Sequence, residues 1–308
     1  MRTITKILLL CALITLNACG LGKQGMVMMT DESWSASVFC TNQTGFAAPD
    51  GILWRQDRFW FADEGKAAIE VWSRAEGLKT LCDARLGIMS PEDLVMDEAG
   101  NIFFTDDDAG GVWEVDAQGK AFLLAGKDKG LVSTEGIALM PSGDILAGDG
   151  EKHTVYRVTR SGEVSVYLGP DAGIRKPESM VFDERGNLYI ADNEDDVVYL
   201  IDSERRLQRL IEHRTGFSPE TIIYARGTLY LTDSRSGRLC RFTPREGLRT
   251  IAVFGGRLSN VQGVTADAQG NLYVTIQSDL KRGIGYVVRL TQDGHGGMAK
   301  SQPASLEQ

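Results

Sequence analysis

Histidine and cysteine are scarce in this 308-residue chain, which has three His and five Cys and no Cys-x-x-Cys. That spacing excludes a structural zinc site of the usual Cys/His kind. Long stretches rich in Ala, Glu, Lys, Leu and Arg are missing, which argues against a coiled coil or helical solenoid. Positive charge is in deficit, with 33 Lys and Arg against 42 Asp and Glu and a net charge of −9. Such a surface repels nucleic acid and anionic lipid, so neither is an expected partner. No Gly-x-Ser-x-Gly elbow, P-loop or dinucleotide fingerprint falls in a usable context.

What is there is ordinary globular composition, 43% hydrophobic and 24% charged, with 35 Gly to serve tight turns and only 8 Pro. All-β is the expected class. Arg2 and Lys6 precede the apolar run Ile7 to Leu16, which is too short to span a hydrocarbon core of about 30 Å and reads as an export leader. Leu16-Asn17-Ala18-Cys19 then matches a bacterial lipobox, which makes residues 1–18 a lipoprotein signal peptide and Cys19 the acylated N-terminus, with 19–33 as a tether. The expected location is the cell envelope, on the outer membrane facing the periplasm in a Gram-negative cell, with the bilayer touched through the acyl chains alone. Of the other cysteines, Cys40, Cys82 and Cys240 cannot all pair; a disulfide between two of them is open in an exported protein, and buried free thiols are the expected state.

Internal repetition carries most of the information. Residues 177–202, PESMVFDERGNLYIADNEDDVVYLID, and residues 91–116, PEDLVMDEAGNIFFTDDDAGGVWEVD, are two copies of one unit. Further copies begin near 49, 134, 219 and 261. The second residue of each copy is Asp50, Glu92, Glu135, Glu178, Glu220 or Gln262, at successive spacings of 42, 43, 43, 42 and 42. Each unit reads as four antiparallel strands, A to D, joined by Gly-containing turns. A lone four-stranded sheet leaves both faces bare, whereas six set radially bury each face against a neighbour. The expected fold is a six-bladed β-propeller over 34–298, with a polar tail over 299–308. The last unit has no D strand, and Ser35 to Cys40 is expected to supply one from the N-terminus.

Strand A lines the central channel, so the six repeated residues at its start form a ring at one mouth. Five are carboxylates. At a separation of about 6 Å and an effective dielectric of about 20, each neighbouring pair repels by roughly 3 kcal/mol, which must be relieved by protonation, water or a cation. An all-oxygen set (Asp50, Glu92, Glu135, Glu178, Glu220), with no Cys or His among the anchors, suits a hard divalent cation, Ca²⁺ first and then Mg²⁺, over a transition metal. The alternative is that each acid caps backbone N–H groups of its own blade in a water-filled channel. A second acid, at the end of strand B (Asp63, Asp106, Asp149, Asp192 and Asp233), reads as scaffold. Unrepeated residues of the mouth loops include His153, either a general base or an exposed loop histidine, and Arg235, either a cation for a substrate oxyanion or a solvated side chain. Gln262 completes the ring as a neutral substrate contact.

The repeat P-[DE]-G-[IL]-x-x-D-x-x-G-N-[IL]-[YF]-x-[AT]-D resembles NHL-type repeats and the senescence-marker-protein/gluconolactonase family over residues 49–291. The resemblance implies calcium- or zinc-dependent lactonase or esterase chemistry on a six-bladed propeller. By position, it places the family's first-blade glutamate ligand on Asp50, its fourth-blade asparagine ligand on Glu178, and its fifth-blade aspartate, ligand and proposed base, on Glu220. Where the family has Asn-Gly and Asp-Gly, this chain has Glu178-Ser179 and Glu220-Thr221, which adds charge and lengthens the arm of the base. Two functions follow as expectations: a metal-dependent hydrolase of a small molecule, or a noncatalytic lipid-anchored propeller that binds a protein, peptide or sugar. A monomer is expected in either case. A lyase of the streptogramin-cleaving kind fits less well, since such propellers usually carry seven blades and a histidine pair.

Overall fold

The computed structural model describes residues 26–212 and 216–292. The leader, Cys19 and the 299–308 tail lie outside them. Six antiparallel sheets make up the fold, each begun by an inner A strand: Pro49–Arg55, Pro91–Met96, Thr134–Leu139, Pro177–Phe182, Pro219–Ala225 and Val261–Ala266. The chain is a six-bladed β-propeller with four-stranded blades. Blade 1 shows the plan, with B at Arg58–Asp63, C at Ala68–Ser73 and D at Gly77–Cys82.

The period-2 alternation along each strand sends successive side chains to opposite faces of the blade. Both faces are therefore covered, and six apolar clusters fill the six gaps between neighbouring blades. Between blades 2 and 3, Phe103 and Val112 meet Ile137, Ile145 and Val158. Cys40, Cys82 and Cys240 are free and buried within these clusters. Burial pushes the thiol of Cys82 up to about 12 and that of Cys40 up to about 11, so they remain protonated packing groups.

Blade 6 takes its outer strand from Trp34–Thr41, which pairs antiparallel with Ile284–Gln292 from Trp34↔Gln292 to Thr41↔Tyr286. The closing strand is thus one residue longer at each end than the sequence suggests. Met26–Met29, within the stretch read as a tether, adds a fifth strand to blade 5 by pairing with Gly247–Gly255. Among the described residues no helix is long and apolar enough to cross a membrane.

Candidate functional site in the central channel

Every A strand breaks register with its B strand at the same place, for example between Pro49 and Ile52 and between Pro91 and Leu94. A bulge of this kind bends the strand and re-aims a side chain. The repeated acids sit in these bulges, and Asp50, Glu92, Glu135, Glu178 and Glu220 line one cavity together with Asp93 and Thr221. Its volume is ≈ 10 Å³, room for about one water or ion. Close contact between blades sets this geometry. A Cβ on Gly51 would come within 2.4 Å of the Glu92 carbonyl oxygen, and one on Gly136 within 2.6 Å of the Pro177 carbonyl oxygen. From strand B, Thr275 Oγ1 donates to the Asp50 carbonyl oxygen at 2.7 Å, and Thr105 and Thr232 do the same for Glu135 and Gln262.

The chain itself offers two means of relieving the repulsion. The first is a cation from the chain itself, Lys176, whose Nζ lies 3.1 Å from Glu135 Oε2 and 3.1 Å from Glu178 Oε2. Burial would lower this ammonium, but Glu178 and Glu135 hold it well above its usual value. The second is proton uptake. Burial raises the carboxyls of Asp50, Glu92, Glu135 and Glu178; neighbouring acids add to it for Asp50, Glu92 and Glu178, Glu220 most for Asp50 and Glu178, whereas a hydrogen bond with Glu178 and the charge of Lys176 lower Glu135. Neutral donors do the rest. Gln277 Nε2 reaches Asp50 Oδ2 at 3.2 Å and Glu64 Oε2 at 2.9 Å, Ser90 Oγ reaches Glu92 at 3.0 Å, and Asn193 Nδ2 reaches Glu220 at 3.4 Å.

One step deeper, Asp93 accepts from Leu94 N at 2.8 Å and from Ser179 Oγ at 3.3 Å. Burial lifts its carboxyl to about 7 despite those donors. The repeat spacing does not single out Lys176 or Asp93, although aligned columns contain the signal. The position before strand A holds Ala48, Ser90, Ser133, Ser218 and Asn260 in the other blades, and the position after the ring acid holds Gly51, Gly136, Ser179, Thr221 and Gly263. A charge in either column is the exception.

Three expected site residues stand outside the lining of this cavity. Gln262 is buried and donates from Nε2 to Gln277 Oε1 at 3.1 Å. His153 Nδ1 lies 2.6 Å from the Arg175 carbonyl oxygen, so Nδ1 carries the hydrogen and pins the loop before blade 4. Arg235 is half-exposed and paired with Asp196 Oδ2 at 2.9 Å. The second repeated acids act as scaffold: Asp192 accepts from the N–H groups of Arg175, Lys176, Glu194 and Asp195 at 2.7, 3.2, 3.2 and 3.0 Å. Its donors thus come from the loop before strand A as well as from the loop that follows it. Asp63 accepts from Ala47 N and Ala48 N at 2.7 and 2.9 Å in the same way.

The donor set fits a hard cation in chemistry, being all oxygen and in excess of the one ammonium that compensates it. Among the described residues, no three such side chains stand close enough together to form a ready-made cage. Lys176 serves the Glu135–Glu178 side, whereas Asp50 and Glu220 meet the amides of Gln277 and Asn193.

No protein-family description matches the chain, and no curated protein matches its sequence. Solved structures match its fold. A streptogramin B lyase superposes with a TM-score of 0.67 at 14% identity, covering 84% of this chain and 98% of the lyase. A gluconolactonase from Xanthomonas campestris gives 0.66 at 16% identity, covering 87% of this chain and 89% of that one. An auxiliary nutrient binding protein from Bacteroides ovatus gives 0.66 at 10% identity, over 88% of this chain and 83% of that one. At such identities the likeness is one of fold, and the fold is shared by lactonase, lyase and binding propellers.

Proposed function

We propose that the channel mouth is a hydrolytic site of the lactonase or esterase type, acting on a small molecule with the help of a divalent cation. The observation that carries this reading is the convergence of five ring carboxylates on a cavity that holds about one water-sized particle. Asp50, Glu178 and Glu220 would hold the cation, Ca²⁺ before Mg²⁺ or Zn²⁺, with Glu92 and Glu135 beside them. Such an ion, when bound, polarises an ester carbonyl. Glu220 is the base in this reading; its Oε2 accepts from Asn193 Nδ2 at 3.4 Å, which leaves Oε1 to act on water. Lys176 sets one positive charge against the Glu135–Glu178 pair, whose carboxyls burial raises. Lipidation of Cys19 would hold the protein at the cell envelope, and loss of palmitate-analogue labelling in Cys19→Ala tests that part.

Calorimetry with Ca²⁺, Mg²⁺, Mn²⁺ and Zn²⁺, followed by hydrolysis assays on a lactone and ester panel, tests the whole. Binding should be seen, with Ca²⁺ at a hundred times its dissociation constant adding about 2.7 kcal/mol to stability. Glu178→Gln and Glu220→Gln should each weaken binding and abolish most of the hydrolysis. Absence of binding by all four ions would turn the reading to a noncatalytic propeller that binds a protein, peptide or sugar. That second reading is favoured by Lys176 and by the raised carboxyls, which balance much of the ring charge with no ion at all.

A further inference from the structure

The A–B turns lie at the end of the propeller opposite the ring acids, and there a cavity of ≈ 560 Å³ opens beside the blade 5 turn at Arg226 and the blade 6 turn at 267–271. That volume lies in the range of small-molecule sites, roughly 300–1,000 Å³. Its charge is opposite to that of the rest of the protein. Three arginines, Arg226, Arg241 and Arg289, line it against a single acid, Asp267, in a chain of net charge −9. Asp267 is already engaged, since its carboxylate accepts from Gln269 N, Asn271 N, Asn271 Nδ2 and Tyr273 OH at 2.9, 2.8, 2.7 and 3.0 Å.

The guanidinium groups have donors to spare. The Nε of Arg241 and that of Arg289 are both buried without a hydrogen-bond acceptor, and an unsatisfied buried donor calls for a water, ion or ligand. Arg241 meets Asp31 and Glu246 only at 3.5 and 3.3 Å, through its terminal nitrogens. Arg226 is held in place by its bond to the Ala268 carbonyl across the blade 5–blade 6 gap. Tyr230 lies between the strands that carry these residues. It is the cross-strand partner of Arg241; burial raises its phenol, while Arg241, a hydrogen bond with Thr228 and Arg226 lower it.

From the cavity, its three arginines and their two orphaned donors, we infer a second binding site, for a small organic anion bearing carboxylate or phosphate groups. Arginine's planar fork suits either oxyanion bidentately. Tyr230 supplies a ring face and a hydroxyl, and Leu272 an apolar wall. This site is independent of the ring carboxylates and of any reaction there.

Titration calorimetry of the full chain with citrate and with inorganic phosphate separates the two oxyanions. Binding of one or both is expected, weakening as salt rises. Arg241→Gln and Arg226→Gln should each weaken it by about tenfold or more, the loss of one charge-assisted hydrogen bond, and Arg241→Lys by less. Arg58→Gln, which removes an exposed cation paired with Glu76 at 3.2 Å, should leave binding unchanged. Wild-type protein offers a second readout that needs no variant: the bound anion should protect Arg226 and Arg241, but not Arg58, from phenylglyoxal. Failure of both probes to bind, equal binding by an Arg226→Gln/Arg241→Gln double variant, or modification of Arg226 and Arg241 undiminished by the anion would overturn the inference.

Discussion

Ser179 Oγ donates to Asp93 Oδ2 at 3.3 Å, joining blade 4 to blade 2 past the intervening blade. The bond is possible because blade 3 presents Gly136 at the matching position, where a Cβ would strike the Pro177 carbonyl oxygen at 2.6 Å. Ser179 Oγ also accepts from Ile222 N of blade 5 at 3.2 Å. Three blades are therefore tied together through Ser179, which holds the carboxyl of Asp93 at their junction.

Replacing Lys176 by Met should destabilise the protein more at pH 8 than at pH 5. The ammonium bridges Glu135 and Glu178 at 3.1 Å each and is about one-third exposed. Removing one partner of a fully buried pair costs about 3–5 kcal/mol, and partial solvent screening should reduce that to roughly 1–3 kcal/mol here. At pH 5 both raised carboxyls can take up protons instead. Equal losses in melting temperature at the two pH values would contradict this picture of the ring.

Stability should fall as pH rises from about 4 to about 7. Burial raises Asp50, Glu92 and Glu178, and lifts Asp93 to about 7. The folded protein then keeps protons that the unfolded chain releases near pH 4, so each unit of pH above that value favours unfolding until the folded groups titrate too. Denaturant melts across this range measure the slope. Saturating Ca²⁺ should flatten it if the ring binds a cation, because the ion replaces those protons.

Asp192→Ala should lower stability by at least about 2 kcal/mol, since four backbone N–H groups lose a charged acceptor. Asp192 is not part of the ring cavity's lining, so any ion affinity should be little changed. Glu178→Gln should show the reverse pattern, because it takes one acid out of a mutually repelling set.

Deleting residues 34–41 should prevent recovery of a folded monomer, while deleting 26–29 should leave one of lower stability. The first segment is the outer strand of blade 6 and brings Trp34 and Cys40 into two inter-blade clusters. The second adds only an edge to a blade already complete, although Val27 is buried there. Loss of the first exposes a sheet edge that can pair with another chain. Size-exclusion chromatography of both variants distinguishes the two roles.

The propeller, its six blades, its closing N-terminal strand and the columns of inward-facing acids can all be read from residue order. The reason is that a repeat of 42 or 43 residues states each blade separately, with turns, alternation and anchor all local in the chain. The bulges that aim the anchors follow the same column, so the ring acids lie where the spacing puts them. What the spacing cannot convey is which side chains meet between blades, because those contacts join residues that are far apart in sequence and unequal in type. Lys176 reaches Glu135 across a blade boundary, Ser179 reaches Asp93 across 86 residues, and Arg226 crosses to Ala268. His153 looks free as a loop residue, yet folding spends its Nδ1 on the Arg175 carbonyl oxygen. Whether converging charges are met by a proton, an amide, a lysine or an ion depends on distances of a few ångströms, and only packing the six blades around one axis decides those.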